Sequence, residues 1–197
     1  MLSPIELIKY FKKKKINFFS GVPDSVLKNF TNVLDNSKNF EHYVCVNEGS
    51  AIGLAIGYYL RKKKIGLVYL QNSGLGNAIN PLVSIADKKV YKIPMILLIG
   101  WRGSPGIKDE KQHLTKGKIT LPLLKNMGIR YKVVKNFNDI KNSNLIDYSK
   151  KSRKPVAFLI KKGSIKKYNV KVQNKNVNNI LRSDFIIKLL NKISNKD

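Results

Sequence analysis

Apolar positions along the chain change their period several times, and each change marks the boundary of a helix or a strand. Ser3-Pro4 opens a segment in which Ile5, Ile8 and Phe11 recur at helical spacing, and the run Lys12 to Lys15 closes it. Phe18-Phe19-Ser20 then reads as a short strand, followed by a turn at Gly21-Val22-Pro23-Asp24-Ser25. Asp24 or Ser25 can cap a helix running to about Leu34. His42 to Val46 is β-rich and feeds the stretch Asn47 to Tyr58, where Ala51, Ile52, Leu54, Ala55 and Ile56 return at helical spacing. The same design repeats downstream: a strand to Leu70, a glycine-bearing turn from Gln71 to Pro81, and a helix from about Gly76 to Ala86. After Pro94, Met95 to Ile99 is unbroken apolar sequence, as expected of a central strand covered on both faces.

From Gly100 to Gly117 the periodicity lapses into glycines, a proline, charges and one histidine, which predicts a long functional loop. A helix at Leu121 to Met127, a strand at Tyr131 to Val134, a helix over about Asn138 to Lys150 and a strand at Val156 to Ile160 complete the alternation. This order predicts an α/β fold, a mostly parallel six-stranded sheet with helices on both faces. Residues 1–163 form the expected domain. Residues 164–197 are expected to be a polar tether ending in a short helix at Ser183 to Ile193.

Charge is the most unusual feature of the composition: 38 Lys and Arg against 12 Asp and Glu give a formal net charge of +26. A nucleic-acid partner is not expected, because no recognition motif accompanies the charge and nearly all of it is Lys. The runs Lys12 to Lys15 and Lys62 to Lys64 fall at predicted helix ends, where cations complement the dipole. A basic surface would still attract small anionic substrates. Cys45 is the only cysteine, no secretory signal opens the sequence, and no apolar run reaches membrane-spanning length, so a cytoplasmic location without a membrane partner is expected.

The candidate chemistry gathers at the two strand-to-helix turns. In a parallel sheet such turns collect at the carboxyl ends of the strands, where ligands bind. Glu48 stands at the mouth of a helix otherwise built to be buried, and an acid there gains from the dipole whether or not it is functional. Gly74 and Gly76 would admit a flat ligand or a partner chain close to the backbone. Asp24 is a helix cap or a proton carrier; His113 is a solvated loop histidine or a proton carrier. His42 and His113 lie far apart in sequence and no Cys/His spacing supports a metal site.

With GVPDS (Gly21 to Ser25), NEG (Asn47 to Gly49), QNSGLGNAINPL (Gln71 to Leu82), IPMILLIGWRG (Ile93 to Gly103), KDEKQH (Lys108 to His113) and GKITLPLL (Gly117 to Leu124), the chain resembles the thiamine diphosphate-dependent 2-oxoacid decarboxylases, in their pyrimidine-binding module. The resemblance implies that Glu48 partners the aminopyrimidine of thiamine diphosphate, with Gly49, Asn72, Ser73, Gly74, Gly76 and Asn77 around the cofactor. It implies Asp24 and His113 as further catalytic residues. Arg102 is the expected substrate contact, since its guanidinium matches an anion in a bidentate manner.

The family's GDG and later NN signature is absent from this sequence. The resemblance therefore implies that Mg²⁺ and the diphosphate are held by a partner, either a separate β subunit or another copy of a longer parent chain. The substrate it implies is 3-phosphonopyruvate, converted to phosphonoacetaldehyde and CO₂. The alternatives are the sulfonate analogue, sulfopyruvate, and a non-catalytic regulatory module of the same fold.

Overall fold

A computed structural model describes residues 1–37 and 39–169, together with Ile187 and Asn191. Six strands form one wholly parallel sheet in the order β2-β1-β3-β4-β6-β5. They are β1 (Phe18–Gly21), β2 (Glu41–Val44), β3 (Gly66–Gln71), β4 (Met95–Trp101), β5 (Arg130–Val134) and β6 (Val156–Lys161). The helices are α1 (Pro4–Lys13), α2 (Lys28–Asp35), α3 (Glu48–Lys62), α4 (Leu75–Val83), α5 (Lys111–Asn126), α6 (Phe137–Lys141) and α7 (Leu145–Ser152). The alternation expected from the sequence is present, and it places helices on both faces. One core packs α1, α2, α6 and α7 on Phe19, Leu67, Tyr69 and Phe158. The other packs α3, α4 and α5 on Val68, Leu70, Leu97 and Leu159.

The central strands β3 and β4 are buried along nearly their whole length, as their apolar runs demand. The edge strand β2 is different. Its burial is slight, with Tyr43 47% and Val44 61% exposed, and it ends at Val44 rather than Val46.

Several expected boundaries are corrected. The inward face of α1 is Pro4, Leu7, Ile8 and Phe11, while Ile5 points outward at 40% exposure. The single helix expected from Asn138 to Lys150 is two, α6 and α7, because Asn136 and Asp139 form a reciprocal capping box and Asn142 ends the first after five residues. The loop expected to run from Gly100 to Gly117 ends at Glu110, and Lys111 to Gly117 are already helical. This turn of α5 lacks an apolar stripe because it packs through small residues: a Cβ on Gly117 would collide with the Gly103 backbone, and one on Gly103 with the His113 carbonyl.

The segment after β6 stays on the domain instead of departing at residue 164. Ile165 is buried and bridges Leu2, with Leu2 N–H donating to Ser164 O at 2.7 Å and Lys166 N–H to Leu2 O at 2.8 Å. The rest of the expected tether and the helix Ser183 to Ile193 lie outside the described residues, save for Ile187 and Asn191, both helical.

Candidate functional site

The β2-to-α3 turn is built around Asn47, an extended N-cap whose side chain accepts from Ser50 N–H at 2.8 Å. That geometry makes Glu48 the first residue of α3 and turns its side chain inward, where the residue is only 9% exposed. Asn77, on the first turns of α4, donates its amide to Glu48 Oε2 at 2.8 Å. The carboxyl rests on Gly74, and a Cβ at residue 74 would run into Glu48 Oε1. Glycine at that position is thus a requirement of the acid's placement. Gly49 lies against the Asn77 carbonyl at the same α3–α4 approach, and Gly76 is exposed with open space beside it.

The other residues of the Gln71–Asn77 turn divide their work. Asn72 is 4% exposed and wholly used within the chain: its amide donates to Arg102 O (3.0 Å) and Thr120 Oγ1 (2.9 Å), and its Oδ1 accepts from Arg102 N–H (3.0 Å). It ties the ends of β3 and β4 to α5. Ser73 Oγ, half-buried, accepts from the Gln71 amide at 2.7 Å.

Asp24 lies in the turn after β1, 6% exposed. Its Oδ2 accepts from Leu27 N–H at 3.2 Å, so it caps the turn that precedes α2, while Oδ1 is buried without a hydrogen-bond partner. Burial holds this carboxyl above the ordinary aspartate range, against the opposing pull of backbone N–H groups and of Arg102. A cavity of about 360 Å³ opens beside it, lined also by Lys28, His42 and Tyr69. There His42 bridges Asp35 (Nδ1 to Oδ1, 3.1 Å) and the Tyr69 hydroxyl (2.8 Å), a chain that anchors the otherwise exposed β2.

The segment after β4 is closed on itself. The Arg102 guanidinium grips Asp109 through Nε (2.8 and 3.1 Å) and Nη2 (2.6 Å), and its Nη1 donates to Ser25 Oγ at 3.1 Å. Asp109 also accepts from Gly103 N–H at 2.8 Å and lies 3.5 Å from Lys162 Nζ. Its side chain is 1% exposed, and the hydrogen-bonded Arg102 holds it well below the usual carboxylate range. The group expected to meet a substrate anion is therefore committed to an internal buckle. Asp109, which sequence reasoning quoted only as part of a motif, is its centre. Its signal was the Asp109-Glu110 pair six residues after Gly103 in a Lys-rich stretch.

His113 sits in the first turn of α5, where it was expected in a loop. Its Nδ1 is buried without a partner and its Nε2 lies 3.7 Å from Glu110. Glu48, Gly49, Gly74 and Asn77 thus form one constellation between α3 and α4. Asp24, Arg102 and Asp109 form a second at the ends of β1 and β4, linked to the first through Asn72. Among the described residues no group of three His, Cys, Asp or Glu could hold a metal ion, and no helix is long and apolar enough to cross a membrane.

A buried carboxyl held by one amide, seated on a bare glycine at a helix mouth, can share a proton with a ring nitrogen of a flat heterocycle. Comparison with known proteins places the whole chain in a family. The family model described as thiamine pyrophosphate enzyme, N-terminal TPP binding domain, matches residues 6–122. Sulfopyruvate decarboxylase subunit alpha of Methanococcus maripaludis is 38% identical over 116 residues, covering 59% of this chain and 67% of that protein. Phosphonopyruvate decarboxylase of Streptomyces viridochromogenes is 32% identical over 139 residues, covering 71% of this chain but 34% of that protein. Among solved structures, benzoylformate decarboxylase from Polynucleobacter necessarius superposes with a TM-score of 0.60 at 18% identity, over 87% of this chain and 32% of that one. At that identity the likeness shows the fold. The chain belongs to the thiamine pyrophosphate enzymes, and residues 6–122 are its N-terminal TPP binding domain.

Proposed function

We propose that this chain is the pyrimidine-binding module, or α subunit, of a thiamine diphosphate-dependent decarboxylase that converts 3-phosphonopyruvate to phosphonoacetaldehyde and CO₂. The observation that carries the reading is the Glu48 carboxyl, buried on Gly74 with Asn77 fixing one oxygen. Thiamine diphosphate, when bound, supplies the electron sink that decarboxylation of a 2-oxoacid needs. Glu48 would hold the proton facing its ring nitrogen, and Asn77 would keep that carboxyl from rotating. Gly49 lets α3 pack closely on the Asn77 carbonyl, and Gly76 leaves open space at the start of α4.

Loss of CO₂ leaves a carbon that must gain a proton. Asp24 suits that task because burial favours its protonated form and one of its oxygens has no internal partner. His113, with a buried unpartnered Nδ1, is the second candidate. Arg102 would act at one remove, by fixing Asp109 and Ser25 and so shaping the wall behind Asp24.

The GDG and NN signature is missing from the sequence, which supports a partner that holds Mg²⁺ and the diphosphate, in the form of a β subunit or a further module. A cytoplasmic setting belongs to the same reading. A second reading has its own support: the 38% identical relative is a sulfopyruvate decarboxylase subunit alpha, and such a substrate differs only in the anion on C3.

Aldehyde formation from 3-phosphonopyruvate and from sulfopyruvate, measured side by side with the partner module, thiamine diphosphate and Mg²⁺, tests this. Faster turnover of the phosphonate is expected. A preference for the sulfonate of more than about tenfold, or 1.4 kcal/mol, assigns the second reading, and no turnover of either removes both.

A further inference from the structure

The opposite end of the sheet carries a site that the proposed reaction does not use. Where α1 and α3 end and β3 and β4 begin, a cavity of about 250 Å³ is lined by Lys14, Lys15, Lys63, Lys64 and Lys150 around Tyr59. No carboxylate lines it. Asp147, 3.1 Å from Lys14 Nζ, is the only acid paired to any of the five lysines among the described residues, and its own side chain is 61% exposed.

The remaining contacts arrange the lysines without neutralising them. Lys150 Nζ donates to the Lys14 carbonyl at 3.1 Å, and Lys63 Nζ stands 5.8 Å from the Tyr59 ring centroid. Lys15 and Lys64 have no partner among the described residues, and both are exposed. Lys15 (φ 64°) and Lys63 (φ 55°) adopt the left-handed conformation that ends their helices, so their backbones, at least, are fixed.

A bland account holds that these lysines only offset helix dipoles, and its magnitude falls short. Three helices, α1, α3 and α7, bring their carboxyl ends or last turns here, and each contributes roughly half a negative charge. Together with Asp147 they balance only about half of the five positive charges. The excess sits in a concave, partly apolar recess, where field lines converge and mutual repulsion is relieved by a compact anion of matching charge.

We propose that this recess binds a ligand with two or more linked phosphoryl groups, an inorganic polyphosphate or the phosphate tail of a nucleotide. Lysine ammoniums serve such groups as point charges, without the planar matching that arginine gives. A single phosphate, at about −1.5 to −2, falls short of an excess of about +2.5, and two or more linked phosphoryl groups cover it. The site shares one rigid element with the candidate active site: α3 begins at Glu48 and ends at Lys62, 15 residues spanning about 22 Å. The inference does not depend on the proposed reaction.

The experiment is calorimetric titration of the full chain with tripolyphosphate at about 150 mM salt, where attraction between scattered surface charges is largely screened. The parent is compared with Lys15→Glu/Lys64→Glu and with a control of equal charge change, Lys9→Glu/Lys88→Glu, at exposed positions away from the recess. Saturable binding to the parent is expected, weakened about tenfold or more in the recess variant and less than about twofold in the control. Equal weakening in both variants, or no saturable binding to the parent, overturns the proposal. Lys15→Gln/Lys64→Gln repeats the comparison if charge reversal disturbs folding by circular dichroism. An ATP arm separates the sources: tighter binding of ATP than of tripolyphosphate, lost in Tyr59→Ala, assigns a nucleotide, and equal affinity assigns the phosphate chain alone.

Discussion

The turn after β2 and the turn after β4 stand at the same end of the sheet, yet they are built on opposite principles. The first leaves its key acid with one internal hydrogen bond, from Asn77, and is preceded by exposed apolar residues, Val44 at 61% and Val46 at 92%. The second folds back on itself, with Arg102, Asp109, Ser25, Gly103 and Lys162 satisfying one another. The paired Arg102–Asp109 buckle has little left to offer a ligand, though Ser104 Oγ and His113 Nδ1 beside it are buried without partners; an acid that is buried but sparsely bonded has more to offer. The comparison teaches that the Arg102–Asp109 buckle is framework, whereas the β2 turn is where the proposed function seats its cofactor.

Breaking the framework should have the largest effect. Asp109→Ala removes the main partner of the largely buried Arg102 guanidinium, leaving Glu110 Oε1 at 3.6 Å, and is expected to lower stability by about 3 kcal/mol, read from urea denaturation. Because the Asp109 pKa is depressed in the fold, its contribution is present above the ordinary aspartate value and fades only as pH falls toward the depressed one. The stability difference between parent and Asp109→Ala should therefore shrink on acidification below about pH 4. A stability change under about 1 kcal/mol at neutral pH would mean that the buckle is ornamental.

Gly74→Ala probes the other turn. The new methyl must displace the Glu48 carboxyl, and a shift of that kind is expected to reduce turnover of the assembled enzyme about a hundredfold while the fold persists. Parent-like turnover would show that the acid's seat on residue 74 is irrelevant. Asp24→Asn follows in size and has the opposite sign for stability. The Asp24 pKa is raised in the fold, so the acid's favourable contribution is full below the unfolded pKa and is lost as pH rises through the folded one. The amide should accordingly raise the melting temperature at neutral pH, and this gain should vanish in acid. Val46→Ser should change the stability of the isolated chain by less than about 0.5 kcal/mol, since the side chain is almost wholly exposed. Its effect should emerge only when the partner module is titrated in.

Much of this was legible in the sequence because period and punctuation reported it directly. The apolar runs of β3 and β4 gave the centre of the sheet, and the acid after a β-rich stretch gave the mouth of α3. What stayed hidden involves contacts that leave no periodic trace. The first turns of α5 pack through Gly103 and Gly117, so His113 read as loop. The outward Ile5 and the inward Leu7 could not be told apart by apolarity alone. Arg102 offered the right chemistry for an anion, but its pairing with Asp109 depends on a fold-back that spacing does not announce. Asn72 was expected near the cofactor, and burial shows its amide spent on joining β3, β4 and α5.

The central claim is that Glu48 is the proton-holding group of a site completed by another module. Glu48→Gln, assembled with that module, thiamine diphosphate and Mg²⁺, keeps the size and the Asn77 contact of the parent side chain while removing the acid. Decarboxylation slower by about 10²-fold or more, with unchanged assembly and melting temperature, is the result the account predicts. Turnover within about twofold of the parent would contradict it.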